Sequence, residues 1–132
     1  WSFGGHMASN SILKGNEVFE MAIAVAPVTS WRFYDTVYTE RFLRTPEENP
    51  AGYDDNSPFN YPELLKGKFL LVHGSGDDNV HLQNSMRFAE SLIQANKDFD
   101  WAIYPDKNHG IYGGNTRIHL YHKMTKFVLE NL

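Results

Sequence analysis

The chain has 132 residues, which is enough for one domain with its own core and too few for two. It has 12 basic and 16 acidic residues, a net charge of −4, and no Lys/Arg run that could neutralise a phosphate backbone, so we do not expect a nucleic-acid partner. Cysteine is absent, which excludes a disulfide framework but does not decide the compartment. No apolar stretch approaches the roughly 20 residues that cross a bilayer.

The chain opens on WSFGG, which has the shape of a nucleophile elbow, G-x-S-x-G, without its first glycine. Ser2 is the candidate nucleophile in this reading. Gly4 and Gly5 would provide the room that a strained strand-to-helix turn requires. The backbone N–H of Phe3, at the start of the following helix, is the natural donor to an oxyanion. Alone the motif is a weak signal, because a serine before two glycines is more often an ordinary turn.

Three short apolar runs end at Gly, Pro or His and are too short for buried helices, so each predicts a strand: Met21 to Val25, Phe69 to Val72, and Trp101 to Tyr104. Helical patterns alternate with these runs. Such alternation, with strands that are apolar throughout, predicts a parallel sheet covered on both faces. The predicted class is therefore α/β.

The helical patterns have recognisable ends and apolar stripes. The first helix is predicted from about Gly4 to Lys14, with Gly15 as its C-cap. A second begins after the predicted N-cap Asn79, and its apolar stripe is Leu82, Met86, Ala89 and Ile93. The last helix has a stripe of Tyr121, Met124 and Val128, beside Leu120 and Phe127. The segment 45–62 holds four of the six prolines and predicts a surface loop with at most one short helical turn.

The run HGSGDDNV, from His73 to Val80, directly follows the second predicted strand. The carboxyl-terminal edge of a parallel sheet is where α/β proteins bind and transform ligands. Asp77 is therefore placed to orient an imidazole. The alternative is that Asp77 and Asp78 only cap the next helix, and for one of the two we expect that to be true.

The run DKNHGI, from Asp106 to Ile111, follows the third predicted strand and places His109 on a loop before Gly110. The other five histidines lack this context. Ser, Asp and His in this chain order, each after a strand, is the order of an α/β-hydrolase triad. In that chemistry His109 takes the Ser2 proton and later protonates the leaving amine, Asp77 holds the imidazole tautomer, and water releases an acyl-enzyme.

Four segments together resemble dipeptidyl peptidase IV and its relatives in the prolyl oligopeptidase clan, in the same order and at similar spacing: WSFGG, AVAPVTSWRFYDTVYTER, HGSGDDNVH and NHGI. The resemblance covers nearly the whole chain. The run from Ala24 to Arg41 is its most specific part, because generic esterases and lipases have nothing similar after the strand that follows the nucleophile.

The resemblance implies a site for the side chain that precedes the scissile bond, with proline as the favoured occupant. By this resemblance five residues match the lining of that pocket: Val28, Trp31, Tyr34, Tyr38 and Val80. Asn79 matches a residue that hydrogen-bonds a substrate carbonyl. The alternative for the aromatic residues is core packing, since Tyr34 and Tyr38 are four apart and would share one face of a helix. Two departures, Phe3 in place of Tyr and Ser75-Gly76 in place of Thr-Ala, fall where no catalytic side chain is needed.

The family's β-propeller, its paired glutamates that hold the substrate's amino terminus, and the tyrosine that completes its oxyanion hole have no counterpart in this sequence. We therefore expect residues 1–132 to be the C-terminal part of an α/β-hydrolase peptidase domain, beginning at the nucleophile elbow, with the N-terminal half of the sheet missing. Such a piece is expected to be inactive or weakly active by itself.

The implied function is that of a serine exopeptidase that releases N-terminal dipeptides ending in proline or alanine. Peptides would be its substrates, it would need no cofactor or metal, and the full-length protein would be a homodimer in the periplasm, on the cell surface or secreted. The alternatives are a prolyl tripeptidyl aminopeptidase, which differs in how far the glutamates lie from the nucleophile, and an acylaminoacyl peptidase. A non-catalytic binding protein with the same fold is a further alternative, but such relatives typically lose the nucleophile, and Ser2 is present.

Overall fold

A computed structural model describes all of residues 1–132 and contains one three-stranded sheet. The strands are β1 (Met21–Val25), β2 (Lys68–Gly74) and β3 (Asp100–Tyr104), and β2 lies between the other two. Both pairings are parallel. The predicted α/β class, the parallel sheet and its three strands are confirmed. β2 and β3 each begin one residue earlier than predicted, and β2 ends two residues later. The added residues, three polar side chains and one glycine, also pair with a neighbouring strand.

Five α-helices connect and cover the sheet: α1 (Phe3–Lys14), α2 (Thr36–Leu43), α3 (Pro50–Asp54), α4 (Gln83–Gln94) and α5 (Thr116–Asn131). Three single 3₁₀ turns supplement them, at Trp31–Phe33, Pro58–Asn60 and Pro62–Leu64. The first helix is confirmed to within one residue, and Gly15 follows it at the C-cap position. No helix has the length and apolar character that a membrane crossing requires.

The side chains of β2 alternate between two cores, one on each face of the sheet. Phe69 and Leu71 pack on one face with residues of α1 and α4, and Leu70 and Val72 pack on the other with residues of α5. The partners on the first face include Ile12, Leu13, Phe88 and Leu92, and those on the second include Ile111, Leu120 and Phe127. A strand buried on both faces reads as a continuous apolar run, and this is why the sequence predicts a parallel sheet.

The apolar stripes predicted for α4 and α5 are wrong in part. On α4, Met86 and Ile93 are 43% and 54% exposed, whereas the helix buries Ser85, Phe88, Ala89 and Leu92. On α5, Leu120 and Phe127 are buried and Tyr121 is exposed. The predicted α4 stripe is shifted because it excludes Ser85, a polar residue that is buried against the ring of His73. A pattern of apolar side chains cannot identify the buried face of a helix when a polar residue lies at the centre of that face.

The segment 45–62 has more regular structure than predicted. Besides α3, it holds the 3₁₀ turn Pro58–Asn60. Asn49 caps α3 by accepting a hydrogen bond from the Gly52 N–H, and Pro50 occupies the first helical position, where its missing N–H has no cost. Arg32 and Asp54 form a two-pronged ion pair of 2.7 and 2.9 Å that joins this segment to the 3₁₀ turn before α2.

Candidate active site

The carboxyl-terminal edge of the sheet gathers three segments that carry the predicted triad. The Ser2 N–H donates to the carbonyl of Val25, the last residue of β1, over 2.9 Å. Asp77 lies on the loop after β2, and His109 lies on the loop after β3. The indole N–H of Trp1 donates to the His109 carbonyl over 2.9 Å, so the first two residues are joined to the end of β1 and to the loop after β3.

Ser2 has the strained backbone of a nucleophile elbow. Its φ of 54° and ψ of −122° lie in a region that non-glycine residues rarely occupy. Gly5 leaves little room for a side chain here, because a Cβ on it would lie 3.0 Å from the Val25 carbonyl oxygen and 3.1 Å from Pro27 Cβ. A Cβ on Gly4 would meet nothing within 4 Å, so the expectation that both glycines provide room holds only for Gly5.

The first turn of α1 presents a free backbone donor beside Ser2. Phe3 is the first residue of α1, so its N–H has no acceptor within the helix. The Phe3 ring itself is half exposed. Because the positive end of the helix dipole also lies at this turn, the local field favours negative charge next to the serine.

Asp77 is buried and its carboxylate is saturated with donors. Oδ1 accepts the N–H groups of Asn79 and Val80 over 2.9 and 3.0 Å, and Oδ2 lies 2.8 Å from His109 Nδ1. Oδ2 also lies 3.2 Å from Nε2 of His73. Burial alone would raise the pKa of Asp77, but the hydrogen bonds from His73, His109 and the Asn79 N–H outweigh it and hold the pKa below its ordinary value. The group is therefore a carboxylate at neutral pH.

The structure pairs His109 with Asp77 and not with Asp78, whose exposed side chain makes no hydrogen bond or ion pair. This agrees with the predicted choice between the two aspartates. The Ser2 hydroxyl forms no hydrogen bond, so the serine–histidine contact of the predicted triad is not closed. Contacts of this kind are often long before substrate binds. The catalytic roles of Ser2, Asp77 and His109 stay predictions.

The loop that carries His109 contains a strained residue that is held in place by burial. Ile111 is fully buried in the core under the sheet, yet its φ is 43°, which is rare for a β-branched residue. Its N–H donates to the Asn108 carbonyl, and the Asn108 side chain accepts from the Gly110 N–H. The surrounding packing therefore fixes the backbone on the carboxyl side of His109.

Three aromatic rings form a cluster close to Phe3. The Trp31 ring stacks on Tyr38, with centroids 5.9 Å apart, and Tyr34 meets both rings edge-on at 6.0 and 5.4 Å. Tyr34 precedes α2, so the expectation that Tyr34 and Tyr38 share one helical face is wrong. Val28 and Val80 are almost completely buried and pack with Tyr53 against Trp31. They therefore support the aromatic cluster from the protein interior.

A mostly apolar groove of about 350 Å³ opens beside this cluster. It is lined by six residues: Phe3, Trp31, Tyr38, Thr39, Phe42 and Leu43. The last three were not predicted as site residues. The sequence does carry a signal for Phe42, which follows Tyr38 at the four-residue spacing of a helical face.

Asn79 is not the N-cap of α4, which begins at Gln83 after Leu82, so that prediction is wrong. An N-cap acts through its side-chain oxygen, which here is bound to another side chain, while the Asn79 N–H is held by the Asp77 carboxylate. Its side-chain oxygen accepts from the Tyr34 hydroxyl over 2.6 Å, and its amide nitrogen has no partner. The pKa of Tyr34 is raised by burial and by nearby negative charge, so this hydroxyl keeps its proton. The loop after β2 and the aromatic cluster are thus joined.

Two buried histidines were not singled out from the sequence. His73 bonds through both ring nitrogens and lies against Asp77. The ring of His6 lies between the Val28 carbonyl, which Nδ1 contacts at 2.9 Å, and the edge of Trp31, with centroids 5.0 Å apart. Burial lowers the pKa of His6, so a neutral ring supports the aromatic cluster. No three His, Asp or Glu side chains come together as a metal-binding group.

The parallel sheet, the strained turn at Ser2 and the order of the loops that follow it are those of an α/β-hydrolase fold. The sequence profile of the prolyl oligopeptidase family matches residues 1–132. The chain belongs to the prolyl oligopeptidase family.

Individual relatives agree with this assignment. The crystal structure of Porphyromonas gingivalis dipeptidyl peptidase 4 superposes on the whole chain with a TM-score of 0.98 and 58% identity. The proteins named "Probable dipeptidyl-aminopeptidase B" of Aspergillus oryzae and Coccidioides posadasii are 43% and 42% identical over 98% of the chain. The chain spans 15% and 14% of the length of these two relatives, and 19% of the bacterial structure.

Proposed function

We propose that residues 1–132 are the C-terminal part of the peptidase domain of a longer serine exopeptidase. This enzyme would release N-terminal dipeptides with proline or alanine in the second position, through an acyl-enzyme on Ser2. The observation that carries the proposal is the 2.8 Å contact between the buried Asp77 carboxylate and His109 Nδ1, at the sheet edge to which the elbow is bonded. The compartment and the homodimeric state stay predictions.

The proposed chemistry follows from these groups. Asp77 accepts the Nδ1–H of His109, so Nε2 of the neutral ring is the basic nitrogen and takes the proton of Ser2 as its oxygen attacks the peptide carbonyl. The Phe3 N–H donates to the oxyanion, and His109 then protonates the leaving amine. Water attacks the resulting ester by the reverse sequence and frees Ser2.

The aromatic cluster supports the choice of substrate. A pyrrolidine ring is flat and rigid, so it gains apolar contact among Trp31, Tyr34 and Tyr38 without losing rotamer freedom. Phe3, which follows the nucleophile, lines the same groove as Trp31, with ring centroids 6.1 Å apart. The unpartnered amide nitrogen of Asn79 is a candidate donor to a substrate carbonyl.

The test of this function is hydrolysis by the full-length protein of a Gly-Pro chromogenic amide, its N-blocked form, and a tripeptide amide ending in proline. We expect only the Gly-Pro amide with a free amino terminus to be cleaved efficiently. Preference for the tripeptide or the blocked substrate would contradict dipeptide release. The isolated 132-residue chain should be at least about 100-fold slower, because a triad needs its supporting shell and one oxyanion donor alone is worth about 10²- to 10³-fold.

Replacing Tyr38 by Ala should lower kcat/KM for the Gly-Pro substrate about 10- to 100-fold, because the ring forms a wall of the groove. The ring is 42% exposed, so the free energy of unfolding should fall by only about 1 kcal/mol or less. Steady-state kinetics and urea unfolding measure the two effects.

The matched control is Phe19→Ala, since Phe19 is 48% exposed and lies two residues before β1, at the opposite edge of the sheet. It should leave kcat/KM unchanged. Equal losses in Tyr38→Ala for proline substrates and for substrates with a bulky aromatic residue in that position would show that Tyr38 does not select proline.

A further inference from the structure

One buried titratable side chain beside the triad has no part in the chemistry above. His73 lies near the end of β2, is 0% exposed, and places Nε2 3.2 Å from Asp77 Oδ2. We propose that His73 is a positioning residue, which donates its Nε2–H to Asp77 and fixes the carboxylate under His109. This inference rests on the proposed triad and assigns it a fourth member that never touches substrate.

The surroundings of the ring determine its tautomer. Nε2 lies 2.7 Å from the Val80 carbonyl oxygen, which can only accept, so Nε2 must carry the hydrogen. Nδ1 lies 2.6 Å from the Ser85 hydroxyl, which can donate to it. The Nε2–H donates to the Val80 carbonyl, and Nε2 also lies 3.2 Å from Asp77 Oδ2.

This arrangement holds Asp77 from every side. Two backbone N–H groups bind Oδ1, His109 Nδ1 binds Oδ2, and His73 Nε2 lies 3.2 Å from the same oxygen. No Lys or Arg lies within ion-pair distance of Asp77, whose close titratable neighbours are these two imidazoles, and its charge also acts on Tyr34. Without His73, Oδ2 would keep a single donor, and more of its charge would act on His109.

The end of β2 packs closely against the loop that carries His109. A Cβ on Gly74, the residue after His73, would lie 2.2 Å from the Lys107 carbonyl oxygen and 2.8 Å from that of Asn108. The loop after β2 therefore packs directly against the loop that carries His109. Ser85 connects His73 to α4, so α4, the end of β2 and the loop after β2 meet at the His73 ring.

The test is the dependence of kcat/KM on pH in the full-length protein. His73→Phe keeps a flat ring and removes the donor. We expect kcat/KM to fall about 10- to 100-fold, the usual worth of a hydrogen bond to a charged group. The acid limb should move to higher pH, because a less neutralised Asp77 stabilises the protonated form of His109. His73→Gln can place its amide nitrogen near the position of Nε2 and should keep most of the activity and the wild-type acid limb.

The control is Leu71→Ala, a fully buried residue on the same face of β2, two positions before His73, which should lower stability and leave the acid limb in place. An unmoved acid limb in His73→Phe would show that His73 only packs. If His73→Phe does not fold, His73→Asn replaces it: its shorter amide cannot reach Asp77, so equal profiles for Asn and Gln would overturn the inference. Ser2→Ala is assayed beside them, and full activity in that variant would refute the proposed triad itself.

Discussion

Replacing Ser2 by Ala in the full-length protein is expected to lower kcat for the Gly-Pro substrate by about 10⁴- to 10⁶-fold, as for other serine nucleophiles of a triad. The proposed mechanism makes every turnover pass through a bond to the Ser2 oxygen. KM should change little, since the aromatic groove remains. The stability should not fall, because the Ser2 hydroxyl makes no hydrogen bond that folding would lose.

The control for this variant is Ser11→Ala, a partly buried serine on α1 whose hydroxyl also forms no hydrogen bond. Its activity should equal that of the wild type. Retention of more than about a hundredth of the wild-type kcat in Ser2→Ala would mean that another group performs the attack, since a triad serine is worth far more than that.

Asp77→Asn is expected to lower kcat about 10⁴-fold, because an amide can present its N–H₂ to His109 Nδ1 and favour the wrong tautomer. The adjacent Asp78 provides a control of the same chemistry one residue away. Its exposed side chain has no partner, so Asp78→Asn should stay within a few-fold of wild type. Similar losses in the two variants would mean that the pairing of His109 with Asp77 is not what matters for turnover.

The same variant has a predicted dependence of stability on pH. The pKa of Asp77 is lowered in the folded protein, so the stability that its ionised form contributes is present above the unfolded pKa and is lost as pH falls through the lower folded pKa. Asp77→Asn should therefore be least stable relative to wild type at neutral pH, and the difference should shrink below pH ~4. Urea unfolding at several pH values measures it.

Much of the fold is predictable from the sequence because the central strand is buried on both faces. Phe69, Leu70, Leu71 and Val72 form an unbroken apolar run, and the chain order of Ser, Asp and His indicates which sheet edge carries the site. The choice between Asp77 and Asp78 follows less directly, because both could cap a helix. It is decided by the backbone N–H groups that bind the Asp77 side chain.

The parts that the sequence does not predict depend on buried polar contacts. Asn79 has the side chain of an N-cap, but its side-chain oxygen accepts from the Tyr34 hydroxyl and α4 begins later. Ser85 lies on the buried face of α4 because it meets His73, so the apolar pattern indicates the wrong face. His73 itself reads as a strand residue. Its contact with Asp77 depends on the turn between them, and single-residue preferences do not encode that turn.

The most direct test of the proposed site is covalent labelling of the full-length protein with an organophosphorylating reagent, followed by peptide mapping by mass spectrometry. The triad predicts one adduct per chain, on Ser2, absent in Ser2→Ala and formed far more slowly in His109→Ala, where no base activates the hydroxyl. An unmodified Ser2, or an adduct on a different serine, would contradict the assignment of this chain as the nucleophile-bearing part of a serine peptidase.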